Sequence, residues 1–314
     1  MMWGMARVAW PDDADGLVAL QDELRRWAAE VVRGEPLRLP AAPLIGGCFV
    51  AFVRGEAGPG RAGDRAFAAA VLWEPGHEGL LRRGRGGVPA RSEGRALRGS
   101  HRIVSLGDDV GAFSRSDGVE QRVPRRAADV VEQAVVQQAV PSAYAPGLLA
   151  LREGPVLAAA VSSLRRRPEV LLVDASGADH PRRAGLAVHL GWVLDVPTVG
   201  VTKRPLRARP DPAPVAAGAP ADMRVDSTAP APGSNDPAAW VRGRSWPLHL
   251  DGTVVAALVC TRTGARPVVA HAGWRTDVET AVATTLAAST EGARAPVPLQ
   301  EARRVAREAR DLAG

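Results

Sequence analysis

Residues 174–206 read DASGADHPRRAGLAVHLGWVLDVPTVGVTKRPL. Asp174 follows the apolar run 170–173, so a carboxylate is expected where a buried strand ends. The small residues Ala175, Ser176 and Gly177 beside it let backbone approach a ligand closely. His180 and Pro181 are read as a helix start, with Arg182 and Arg183 in its first turn. A second apolar strand, 198–201, ends at Lys203. An acid and an amine at two strand ends, flanking a basic helix start, suit a metal ion and a phosphate. A plain strand–helix–strand unit would also put turn residues at these places, and spacing alone does not choose between the two.

The elements that must position these groups follow from periodicity. Asp13 is placed to cap a helix whose apolar residues Leu17, Leu20, Leu24, Trp27 and Val31 recur at three- and four-residue spacing. Residues 44–53 predict a strand and 66–73 its hairpin partner. Residues 128–140 are ambiguous between helix and strand, and their place in the chain favours an edge strand. A helix is expected at 155–167, parallel strands at 170–173 and 198–201 around a helix at 180–194, and strands at 253–260 and 267–270. Helices at 276–288 and 300–312 close the chain. Strands that are first antiparallel and then alternate with helices make a mixed α/β sheet. Two stretches break the pattern: an Arg/Gly-rich insertion at about 74–126, and a Pro/Ala-rich loop at about 207–239, expected to be disordered. The whole chain, 1–314, reads as one domain with these two interruptions.

With 40 Lys plus Arg against 34 Asp plus Glu, the net charge of +6 permits an anionic partner. Every basic residue but one is arginine; the exception is Lys203, and the only tyrosine is Tyr144. The arginines at 82, 83, 85, 91, 95, 98 and 102 form either a basic arm for nonspecific nucleic-acid affinity or a solvated loop. The two cysteines, Cys48 and Cys260, lie in apolar runs and read as buried thiols of a reducing compartment. No apolar run is long enough for a membrane span and no secretory leader is apparent, so a cytoplasmic monomer is expected.

Asp174, Gly177, His180, Pro181, Arg182, His189, Leu190, Gly191, Asp195, Pro197, Thr198, Gly200, Val201 and Lys203 fall on the pattern D-G-x-G-x-x-H-P-R, H-L-G, D-x-P-T-I-G-V-A-K. Upstream, residues 144–153, YAPGLLALRE, are similar to P-Y-x-P-G-x-L-x-F-R-E. In both segments the chain resembles endonuclease V, the nucleases that recognise deaminated purines such as inosine. The resemblance implies a ribonuclease-H-like fold: a mixed central sheet flanked by helices. It also implies metal-dependent phosphodiester hydrolysis near the lesion, on DNA or RNA containing a deaminated purine, with Mg²⁺ (or Mn²⁺) as the ion. Glu153 and Asp174 become the metal-binding and catalytic acids, facing one cleft, and Lys203 a catalytic or phosphate-holding cation. Tyr144 becomes a wedge that stacks where a base leaves the duplex. Pro146, Gly147, Leu149, Ala175, Gly177, His180, Arg182 and Leu186 become the nucleic-acid contacts, with Gly147, Leu149, Ala175 and Leu186 forming the base pocket.

Two departures stand against this. The family's first strand, V-A-G-V-D-V-S-F, aligns with Ile45–Phe52 so that Phe49 takes the place of a metal-binding aspartate. The family's V-S-P-G-H-R turn aligns with Ala270-His271-Ala272-Gly273-Trp274-Arg275, which puts Trp274 in place of a histidine. Neither aromatic can ligate a metal or carry a proton, so metal binding is expected to be weak and activity weak or lost. Both are expected to crowd the metal's space, with Phe49 lining the cleft. His271 and Asp64 are the two residues placed to swing in as replacements. The alternative reading is a noncatalytic descendant that binds nucleic acid or a protein partner on the same scaffold.

Overall fold

The computed structural model describes residues 10–34, 42–53, 60–75, 102–105, 130–210 and 240–313, with Leu37, Leu39 and Pro40. Asp13 caps α1 (Ala14–Gly34), its carboxylate accepting from the Gly16 amide at 2.8 Å. Leu17 and Leu24 on the inner stripe are fully buried. β1 (Ile45–Phe52) and β2 (Arg65–Trp73) pair antiparallel without a break in register. β2 is buried along nearly its whole length, as a strand covered on both faces must be.

β3 (Arg102–Ser105) and β4 (Val130–Ala139) extend this side of the sheet, β4 antiparallel to β2 and parallel to β3. The expected edge strand is therefore second from the edge, because a four-residue strand from the Arg/Gly-rich insertion covers it. A segment that short carries too little pattern to stand out. The rest of the insertion beyond 75 lies outside the described residues, including every arginine of the basic arm except Arg102, which opens β3.

α2 (Leu149–Ser162) begins six residues earlier than periodicity implied and contains Pro155. β5 (Val170–Val173) pairs parallel with β1 and with β6 (Thr198–Thr202). Between them, α3 (Leu186–Leu194) starts only after Gly185. His180 and Pro181 do not open a helix: 174–185 is a run of turns, and Arg183 sits at φ 59°. Bonds such as His180 N–H to Ala178 O and Gly185 N–H to Gly177 O hold the turns and delay the helix.

β7 (Arg209–Pro210), β8 (Ser245–Leu250), β9 (Thr253–Val259) and β10 (Val268–Ala272) add an antiparallel wing. α4 (Val278–Ala287), capped by Asp277, and α5 (Val297–Ala313) complete the chain. Contrary to the expected disorder there, Arg209 and Pro210 pair with β8 and the amides of Arg207 and Ala208 bond Asp179; 211–239 lie outside the described residues. The sheet runs β3-β4-β2-β1-β5-β6-β10-β9-β8-β7. α1, α2 and α3 cover one face and α4 and α5 the other. This is the α/β, ribonuclease-H-like mixed sheet with flanking helices. Both cysteines are buried and free. Among the described residues no helix is long and apolar enough to cross a membrane.

Candidate functional site

Strand register sets the acids. Cys48 and Val173 are partners across the parallel β1–β5 pair. One residue further, Phe49 and Asp174 stand side by side and, by alternation, project to the same face. That face carries α5, and Arg303 of α5 reaches both. Its Nη2 donates to Asp174 Oδ2 at 2.7 Å, and its Cζ lies 5.1 Å from the Phe49 ring centroid. The charged terminal helix was legible in sequence, but nothing there separates Arg303 from Arg304. Arg304 pairs within its own helix, with Glu301 and Glu308, whereas Arg303 crosses to a strand end 129 residues away.

Glu153 lies on α2, on the other face, within electrostatic reach of Asp174. Burial, reinforced by Asp174 and opposed by Arg152, pushes its carboxyl up to about 7. The Cys48 thiol is pushed above its usual value by burial and then by the same two carboxylates. The two acids are electrostatic neighbours. Asp174 lines a cavity at the sheet's rim; Glu153 and Phe49 do not.

That cavity, of about 410 Å³, is within the range of small-molecule sites. Tyr144 stands at its mouth, 45% exposed. Gly147, Leu149, Ala175 and Leu186, the residues expected to form a base pocket, line it together with His180, Ala145, Gln21 and Ser176. Thr202, Arg204, Pro205 and Leu206 form the far wall. Pro146, Gly177, Arg182 and Lys203 are not among the lining residues. Lys203 is exposed between two residues that are, and Gly177 is a packing position: a Cβ there would lie 2.0 Å from the Ala272 carbonyl oxygen.

Each wall is fastened. His180 accepts at Nδ1 from the Arg182 amide and donates from Nε2 to the Gly147 carbonyl, each at 3.2 Å. It is a strut between the turn after β5 and the Tyr144 loop, and burial holds its imidazole below the usual value. Gln21 of α1 donates to the same carbonyl at 3.2 Å. Behind the loop, buried Arg152 bonds Ser142 O at 2.9 Å, Arg61 O at 2.7 Å and Asp64 Oδ2 at 2.7 Å. The far wall hangs on Asp179, fully buried, which accepts from the amides of Leu206, Arg207 and Ala208 at 2.6–2.7 Å. Sequence reading passed over Asp179, though an acid two residues past a glycine in a turn is a common anchor for backbone amides.

Neither replacement ligand serves. Asp64 is held by Arg152 in the seat just described. His271 is fully buried on β10, its Nε2 2.8 Å from Thr202 Oγ1 and its Nδ1 3.7 Å from Asp179; burial pushes it down to about 4. Trp274 does not crowd the acids either. Its carbonyl accepts from the Thr198 amide, level with Leu171, three residues and about 10 Å of strand before Asp174. Its ring is buried with Leu24, Ala184 and Val188. Among the described residues no group of three His, Cys, Asp or Glu side chains is placed to hold a metal ion. A hard divalent cation needs several oxygen ligands, and here Asp174 already bonds a guanidinium while Phe49 offers a ring face. The residues present do not fit the metal.

A sequence model of the endonuclease V family matches residues 109–304. The endonuclease V of Roseiflexus sp. (strain RS-1) is 35% identical over 162 residues, 52% of this chain and 62% of the relative. That of Methanopyrus kandleri is 38% identical over 188 residues, 57% of this chain and 70% of the relative. The alignments thus span about six-tenths to seven-tenths of these relatives' lengths. The crystal structure of endonuclease V from Streptomyces avermitilis superposes with a TM-score of 0.64 at 27% identity, covering 97% of this chain and 96% of that one. The endonuclease V of Ciona intestinalis, solved with DNA containing an inosine followed by a ribo-adenosine, shares the fold at a TM-score of 0.60 and 17% identity.

Proposed function

Because the chain belongs to the endonuclease V family, we propose that it binds nucleic acid containing a deaminated purine and that phosphodiester hydrolysis near the lesion is weak or lost. The observation that carries this is the contrast at the sheet rim: a fastened cavity with Tyr144 at its mouth, beside an Asp174 already paired with Arg303. An extruded purine would enter between Leu149, Ala175 and Leu186, and Tyr144 would stack in the gap it leaves, an interaction worth about 1–3 kcal/mol. Lys203, exposed beside the cavity, would hold a phosphate as a point charge. Glu153 and Asp174 are the acids on which any remaining hydrolysis would rest. The DNA complex of the Ciona protein supports the ligand class. The binding unit is read as one domain, since among the described residues the elements around the cavity and both acids pack on one continuous sheet.

The test is fluorescence anisotropy with inosine-containing and guanosine-containing strands, DNA and RNA, single and duplex, in chelator. Preference for the inosine strand is expected, and Tyr144→Ala should weaken it by about 1–3 kcal/mol. Equal affinity for both bases, unaltered by Tyr144→Ala, would remove the reading.

A further inference from the structure

α5 lies against β1 at a depth that only glycine permits. A Cβ at Gly47 would stand 2.4 Å from the Pro298 carbonyl carbon and 2.5 Å from its oxygen. From this seat Arg303, about two turns into the helix, brings its guanidinium to Asp174 and over Phe49. Arg307, one turn on, lies 5.9 Å from the same ring. One carboxylate and one aromatic face thus carry two guanidinium groups, and the Arg303–Asp174 pair is about three-quarters withdrawn from solvent, at 24% and 26% exposure.

We propose that Arg303 is the resident cation of this site: it stands in for a divalent metal beside Asp174, with Phe49 as its platform, and offers its guanidinium to a phosphodiester without any metal. The inference rests on the nucleic-acid reading above for its ligand and on the Arg303–Asp174–Phe49 geometry for its cation. The exchange of partners is chemically coherent. An aspartate at 49 would favour a hard cation; a phenyl ring at 49 repels none of a guanidinium's edges and attracts its face. A guanidinium carries its donors in a planar fork, so bonding Asp174 through one nitrogen leaves others for phosphate oxygens. A metal ion entering here would have to break a 2.7 Å ion pair and lie close to two fixed positive charges. Asp174 thereby becomes a positioning residue for Arg303 rather than a metal ligand.

The experiment has two arms on the full chain. In the first, Mn²⁺ is titrated and the free ion is read by electron paramagnetic resonance. The unmodified protein should sequester no ion at concentrations up to about 1 mM, and Phe49→Asp combined with Arg303→Gln should create one site per chain. Uptake of one Mn²⁺ per unmodified chain, abolished by Asp174→Asn, would overturn the proposal. In the second, binding of an inosine-containing strand is followed in chelator across a salt series. Arg303→Gln should weaken binding and lower the slope of log K against log salt by about 1, with Arg303→Lys recovering the slope but not the full affinity. Unchanged affinity and slope in folded Arg303→Gln would overturn the anion half. Failure of the unmodified protein to bind any strand would withdraw the proposed function and that half together, while the Mn²⁺ arm still judges the cation on its own.

Discussion

Two halves of one sheet rim have fared differently. On the α2 and α3 side there is a cavity of about 410 Å³, with a half-exposed Tyr144 and walls anchored by His180, Arg152 and Asp179. On the α5 side, Arg303 is paired with Asp174 and lies over the Phe49 ring, where fewer oxygen ligands are free for a divalent ion than a pair of carboxylates would offer. Stacking and backbone shape need only a rigid hollow, whereas metal chemistry needs several oxygen ligands at once, so one substitution removes far more from the second half than from the first.

The largest effect expected is on the seat of the cavity. Asp64→Ala leaves the Arg152 guanidinium buried without its counter-charge and should cost about 3–5 kcal/mol of stability, read from denaturant midpoints. A loss below about 1 kcal/mol would mean that Arg152 is not what fastens the Tyr144 loop.

Next comes the other half. Cleavage of an inosine strand under Mg²⁺ should be absent, or at least about 100-fold below that of a relative with its acids in place, by extension from losses at residues that merely support a metal ligand. Brisk, metal-dependent turnover by the unmodified chain would erase the contrast between the halves.

pH separates the two sides more gently. Glu153 keeps its proton up to about 7 in the folded chain but loses it near 4.5 when unfolded, so its contribution is present at low pH and is lost as pH rises through that window. Glu153→Gln should therefore be more stable than the unmodified chain by about 1–3 kcal/mol at pH 8 and no different at pH 4. His189, stacked on Trp10 and pushed down to about 4 by burial, works in the opposite sense: its contribution is present above 6.5 and is lost as pH falls towards 4. The two windows overlap between about 4.5 and 6.5, where the opposing trends offset each other, so Glu153→Gln should raise the melting temperature progressively above pH 4.5 and leave the acid-side decline unchanged. Identical melting of the two proteins at pH 8 would show that Glu153 is ionised at no cost.

The smallest effect belongs to Lys203. As an exposed point charge it should add little affinity, and Lys203→Ala should lower the salt slope of binding by about 1 while leaving inosine preference intact. Loss of the preference itself would move Lys203 from the rim into the recognition site.

Much of this was legible in the order of residues. The apolar runs at 45–52, 65–73, 170–173 and 198–202 are strands because their buried side chains leave few other choices, and Asp13 and Asp277 cap helices through local geometry. That position 49 is a phenylalanine where the resemblance leads one to expect an aspartate is a one-letter reading, and so is the singularity of Tyr144. Pattern alone misplaced the starts of α2 and α3, since Pro155 lies within one and the turn bonds of 174–185 postpone the other. Trp274 was assigned to the metal's space by alignment, yet the antiparallel run of β10 carries it to the opposite end of β5 from Asp174. Only tertiary structure could pick Arg303 from the five other arginines and glutamates of its helix, or Asp179 as the hook for 206–208. Such pairings depend on which helix settles over which strand end, and that depth was decided at Gly47, where an absent Cβ lets Pro298 close in.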